Sequence, residues 1–210
     1  SMPILGTNAI KPLIEFIQDI DDAYARISKE VQGKALNFTQ FIERIKPSLP
    51  ATMALEEVES ALQGLVISNT LINGGVQVNS VPEEADADFN IRTIPEYDNE
   101  QVKALFSNTI EKYNNKGAHL ASNLYLDLDP VLTTGDNSLI NTAQTIAKTA
   151  FDKDFIASPI GGVTDASNLL KGKGESFPFL VFGPGEKPHQ IDECVEKEKY
   201  LKFIDFYIEL

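Results

Sequence analysis

The chain has 210 residues, 42% hydrophobic and 23% charged, the composition of an ordinary globular protein that can form one large domain or two modest ones. Its 31 acidic residues against 18 basic ones give a formal net charge of −13, with no Lys/Arg cluster, which opposes binding to nucleic acid or to anionic membrane surfaces. No apolar run reaches the roughly 18 residues of a membrane span, the start lacks a basic segment leading into an apolar core, and one cysteine excludes an internal disulfide, so the expected setting is a reducing cytoplasm.

In chain order, Asn8 is placed to cap a helix whose apolar residues recur at Ile10, Leu13, Ile14, Ile17, Ile20, Tyr24 and Ile27. A short helix is expected around Phe38–Ile45, followed by a Pro-bounded turn and polar residues; the Glu pair of "ALEEVES" suits a helix surface. "LQGLVISNTLI" is β-branched and ends at the turn signal "NGG". "EADADFNIR" alternates, with Ala85, Ala87, Phe89 and Ile91 on one face and Asp86, Asp88, Asn90 and Arg92 on the other, which reads as a half-buried strand. Asp98 with Gln101 forms a capping-box pattern ahead of Val102, Leu105, Phe106, Ile110 and Tyr113, and "NNKG" stops that helix. "AHLASNLYLDLD" supplies a further alternating strand. The order helix, strand, strand, helix, strand over residues 1–128 predicts an α+β sandwich of ferredoxin-like type.

From residue 129 the texture changes to alternating helices and buried strands, an α/β layer. Asp136 is expected to cap a helix bearing Leu139, Ile140, Ala143, Ile146 and Ala147. "DFIASPIGG" reads as a strand into a glycine turn, Thr164 or Asp165 opens the helix "DASNLLK", "FPFLVF" reads as a continuous apolar strand, and the end from Glu193 as helix.

Two glycine turns are candidates for chemistry. The turn "PIGGVTDAS" could hold a carboxylate or oxyanion on its N–H groups and the Thr164 hydroxyl, yet the same residues are what a strand–helix turn with a Thr cap needs. "FGPGEKPHQIDE" sets His189 in a loop at the carboxyl end of a strand, where ligand sites of α/β sheets gather. Alone it is as consistent with an exposed loop histidine, since Asp192, Glu193 and Cys194 do not complete a zinc ligand set. Arg92 can grip a carboxylate in bidentate fashion, or simply join a charge ladder with Asp86 and Asp88; Asn79 can donate its amide, or serve as a turn residue. "KGKGES" lacks the spacing of a phosphate-binding loop.

Taken together, these segments resemble the zinc-dependent exopeptidase and deacylase family of aminoacylase, carboxypeptidase G, acetylornithine deacetylase and succinyl-diaminopimelate desuccinylase. "SMPILGTNAI" is similar to the tail of the element that opens the family's inserted lid or dimerisation domain, and "GGVQVNSVPEEADADFNIR" to the lid hairpin. "GGVTDAS" is similar to its G-G-x-[ST]-D-[AG] turn and "GPGEKPHQIDE" to its closing motif. The hairpin phrase is most similar to desuccinylases of Gram-positive bacteria.

The resemblance implies a lid/dimerisation domain over 1–128 and the C-terminal portion of an α/β metallopeptidase catalytic domain over 129–210. It implies His189 as a metal ligand, and Asn79, Arg92, Gly162, Thr164 and Asp165 as substrate-binding residues. Ser167 stands where the family often has Arg. Two zinc ions, with cobalt as a possible substitute, would need further ligands and a general base that belong upstream of residue 1. The implied activity is hydrolysis of a small N-acylated amino acid or peptide by a homodimer, with the 210-residue chain inactive alone. Two rivals stand beside it: a dimerisation or binding module without chemistry, and a dipeptidase or carboxypeptidase of the same family.

Overall fold

The computed structural model describes residues 6–31, 36–49, 53–133, 137–160, 164–174, 176–185 and 191–210. The chain divides into two compact units, Ser1–Pro130 and Val131–Leu210.

The first unit begins with helix α1 (Ile10–Glu30). The Asn8 carboxamide oxygen accepts from the Ile10 and Lys11 N–H groups at 3.0 and 3.3 Å, satisfying donors that the first helical turn leaves open. Leu13, Phe16, Ile20 and Ala23 form the buried face. Two short helices, α2 (Thr39–Ile45) and α3 (Leu55–Gln63), follow and pack on each other before the sheet begins. Helix α3 forms where "ALEEVES" suggested a helix surface; Glu56 and Glu57 in its first turn favour the positive end of the helix dipole.

Strands β1 (Val66–Gly74) and β2 (Ala85–Arg92) pair antiparallel, from Val66 opposite Arg92 to Gly74 opposite Ala85. Asn69 faces Phe89 and Leu71 faces Asp88, so Thr70 is an extra residue, a β-bulge. The bulge shifts the parity of β1, and Ile72 rather than Leu71 lies opposite Ala87 on the apolar side of β2. Helix α4 (Asn99–Asn114) opens on a complete capping box: Asp98 accepts from the Gln101 N–H and the Gln101 side chain accepts from the Asp98 N–H.

Phe16, Ile20, Leu65, Ile67, Ile94, Val102 and Tyr113 make the core of this unit, with Phe16, Phe89 and Phe106 meeting edge to face. The expected third strand over 118–129 is not observed. These residues join no ladder and bend at Tyr125, and among the described residues the sheet has two strands. Alternation supplies the pleat; only a neighbouring backbone supplies the ladder.

The second unit holds α5 (Ser138–Phe151), the single turn α6 (Ala166–Leu169) and α7 (Lys197–Glu209). Asn137 caps α5, accepting from the Leu139 and Ile140 N–H groups; the expected cap, Asp136, lies outside the described residues. Ala143 and Ala147 of α5 meet Phe203 and Phe206 of α7, with Phe151, Phe155, Leu180 and Phe182 packed around them. The small residues let the α5 backbone approach α7, and the phenylalanines fill the space.

Two expected strands are corrected here. Residues 154–160 and 177–182 form no ladder among the described residues, and Val181 is 52% exposed, so "FPFLVF" is not a buried strand in this chain. A central strand needs partners on both edges to satisfy its N–H and C=O groups; here the Phe182 carbonyl accepts instead from the Tyr207 hydroxyl at 2.6 Å. The final helix starts at Lys197, four residues after its expected start.

Candidate functional site

Asn79 lies in the loop between β1 and β2 and is exposed. The loop is bent by Gly75 at φ 76° and closed by the Ser80 N–H and hydroxyl, which both donate to the Gln77 carbonyl at 3.2 and 3.1 Å. At its base the Ala9 N–H donates to the Pro82 carbonyl, so the start of α1 braces the loop.

Arg92 ends β2 opposite Val66 and is also exposed. Its strand face carries Asp86 and Asp88, but Asp86 accepts from the Asn73 amide at 3.0 Å. Among the described residues no carboxylate pairs with Arg92. Asn79 and Arg92 therefore belong to opposite ends of one hairpin, separated by the length of β2, about 25 Å at ~3.4 Å per residue. No small substrate spans that distance, so one protomer does not bring these two side chains to the same ligand.

In the second unit Thr164 and Asp165 are exposed and lead into α6. The Thr164 hydroxyl accepts from the Ala166 N–H at 3.2 Å, while the Thr164 and Asp165 carbonyls accept from Ser167 and Asn168. The hydroxyl thus acts as a local turn acceptor, and its own proton remains available for donation. Gly162 and His189 lie outside the described residues.

Among the described residues no three His, Cys, Asp or Glu side chains converge into a group able to hold a metal ion. His119 and Cys194 are both exposed, and His119 follows α4 in the first unit. Two zinc ions need several carboxylate and imidazole ligands at about 2 Å each, and these residues do not provide them. The described part of the chain does not fit the metal centre by itself.

The perturbed titrating groups belong to the scaffold. The ammonium of Lys112 beside Asp19 holds that carboxyl below its usual range, with the Tyr113 hydroxyl adding to the effect. Burial pushes the Tyr113 phenol up to about 12, helped by its bond to Asp19. Burial also raises Tyr97. This contact between α1 and α4 was not visible in the sequence, because its partners are separated by more than ninety residues.

Residues 1–118 match the peptidase dimerisation domain of the M20 family. A probable succinyl-diaminopimelate desuccinylase of Staphylococcus epidermidis is 38% identical over 209 residues, which cover 99% of this chain and 50% of the relative. One from Staphylococcus aureus is 36% identical over 216 residues, covering 100% and 51%. The chain thus spans about half the length of the curated relatives it matches. Among solved structures, an M20 family metallo-carboxypeptidase from Sulfolobus solfataricus is similar with a TM-score of 0.63, at 16% identity, over 89% of this chain and 44% of that one; at this identity the likeness concerns the fold. The chain belongs to the M20 metallopeptidase family, and residues 1–118 are its peptidase dimerisation domain.

Proposed function

We propose that this chain is the lid and C-terminal catalytic part of a metal-dependent amide hydrolase that removes a succinyl or related acyl group from an N-acylated amino acid. The observation that carries this reading is the 38% identity to a probable succinyl-diaminopimelate desuccinylase, sustained over nearly the whole chain. In this reading residues 1–128 form the lid and 129–210 the catalytic part, and the protein works in the cytoplasm as a homodimer.

Arg92 takes the substrate carboxylate in a two-point contact, the geometry for which a guanidinium is suited. Asn79 offers its amide from the hairpin loop of the other protomer, which reconciles the two residues with their places at opposite ends of one hairpin. Gly162, Thr164 and Asp165 form the turn that lines the substrate, and Thr164 retains a hydroxyl proton to donate. His189 is the metal ligand this sequence contributes; zinc, or cobalt in its place, needs the other ligands and the general base from residues outside this sequence. Because the described residues do not assemble that centre, no reaction step is assigned to it.

The test joins the upstream half of the staphylococcal relative to this chain and follows acyl release from N-succinyl-diaminopimelate, other N-acyl amino acids and dipeptides. Hydrolysis that needs added zinc or cobalt and disappears in His189→Ala is the expected result. Hydrolysis by the 210-residue chain alone in the presence of a chelator would overturn the proposal, as would an extended, folded, metal-loaded protein inert toward every N-acyl substrate.

A further inference from the structure

The loop that carries Asn79 has a tip that its own conformation does not explain. The Ser80 N–H and hydroxyl both close on the Gln77 carbonyl, so Val78 and Asn79 are the two central residues of a turn. Asn79 is an ordinary turn residue, whereas a β-branched apolar side chain at the corner contributes nothing to the turn. Val78 is nevertheless fully exposed, at 106%, and Val76, two residues earlier, is 94% exposed. A single exposed valine needs no explanation. Two of them beside one bend make a small apolar tip that finds no cover among the described residues.

The tip is clamped at its base. Ile10, at the start of α1, packs where a Cβ on Gly74 or Gly75 would come within 2.9 or 3.7 Å of its side chain. A Cβ on Gly6 would lie 3.3 Å from Val81, and the Ala9 N–H donates to the Pro82 carbonyl. A projection already ordered loses little conformational freedom when a partner arrives.

Charge and position select that partner. Residues 60–82 hold no charged side chain, in a chain whose net charge is −13. Two acidic copies repel over most of their surfaces, and an uncharged projection approaches without that penalty. The tip lies within residues 1–118, the part matched to the peptidase dimerisation domain.

We propose that Val76 and Val78 are positioning residues that seat the hairpin tip on a second copy of the chain, at the edge of its substrate site, and so fix the Asn79 amide against the substrate. Val78 and Asn79 are adjacent corners of one turn, so a seat under the valine sets where the amide points. The apolar pair also keeps water from the amide, which strengthens its hydrogen bond to the substrate. The inference rests on the hydrolase reading, in which Asn79 serves the other protomer.

The test uses the chain extended by the upstream half of the staphylococcal relative. Val78→Asp, at a fully exposed position, should leave the melting temperature unchanged and lower kcat/KM by roughly 10- to 100-fold. Val78→Ile should keep most of the activity. Mixed with Arg92→Ala, the Val78→Asp chain should recover about a quarter of the wild-type rate, because each mixed dimer joins one sound tip to one sound site. Mixed with Asn79→Ala it should recover nothing, since both chains then offer a defective tip. Any other pattern, or full activity of Val78→Asp alone, would overturn the proposal.

A second readout needs neither metal nor substrate. With every other cysteine, Cys194 included, changed to serine, the thiol of Val78→Cys should react with a maleimide about 10-fold or more slowly than glutathione does. A rate equal to that of glutathione would overturn the proposal. Slow labelling in a protein inert toward every substrate would sink the hydrolase reading and leave the apolar seat standing.

Discussion

The hydroxyl of Tyr113, near the end of α4, lies 2.9 Å from the Asp19 carboxylate of α1 and donates to it, and it is also 3.0 Å from the Glu15 carbonyl. Lys112 pairs with the same carboxylate. One buried phenol thus ties together the two long helices that cover the sheet, and it joins apolar packing to a polar latch at the helix surface.

Tyr113→Phe keeps the ring in the core and removes the latch. The expected cost is about 1.5 to 3 kcal/mol in urea unfolding, the usual value of a hydrogen bond to a charged group. A cost near zero would show that Lys112 alone holds Asp19.

The two groups make opposite pH predictions. Asp19 has a depressed folded pKa, so its contribution is complete above its ordinary value of 3.8 and is lost as pH falls below it. Tyr113 is raised from 10.0 to about 12, so its contribution is complete below pH 10 and is lost as pH rises toward about 12. Stability measured against pH should lose part of its alkaline slope in Tyr113→Phe, the remainder coming from groups such as Tyr97, and part of its acid slope in Asp19→Asn.

Truncation in the two cores should be severe. Ile20 and Phe206 are both fully buried. Ile20→Ala is expected to cost about 2 to 5 kcal/mol and Phe206→Ala about 3 to 5, through lost apolar burial and the cavity left behind. Asp98→Ala, which opens the capping box of α4, should cost only about 1 kcal/mol. Denaturant midpoints should fall further in Ile20→Ala and Phe206→Ala than in Asp98→Ala.

Arg92 and Asn79 are exposed, so Arg92→Ala and Asn79→Ala should alter stability by no more than about 0.5 kcal/mol. In the extended enzyme each variant should be nearly inactive toward carboxylate-bearing substrates. Mixed together, they should recover about a quarter of the wild-type rate, because half the random dimers are mixed and each mixed dimer has one intact site. No recovery in dimers that exchange subunits would mean that the two residues do not serve one site from different protomers.

The first candidate site was legible only as a set of motifs. Each of Asn79, Arg92, Thr164 and His189 had an ordinary local explanation, and their order along the chain gave them weight as a group. The structure adds that Asn79 and Arg92 sit at opposite ends of one hairpin, which no spacing rule reveals. Gly162 and His189 lie outside the described residues, so the expected metal ligand is carried by its motif alone.

The helices and their caps could be read from the sequence because their causes are local. An apolar stripe at three- and four-residue spacing, and a capping side chain within three residues, are written in neighbouring positions, as at Asn8 and Asp98. The hairpin was legible for the same reason, with its strands joined by one short loop. Tertiary structure decided what neighbouring positions do not contain. It decided that Thr70 bulges to keep Ile72 on the apolar face, and that Tyr113 finds Asp19. It also left 118–129 and "FPFLVF", both patterned as strands, without ladders among the described residues. A helix carries its hydrogen-bond partners within itself, whereas a strand is completed only by another backbone.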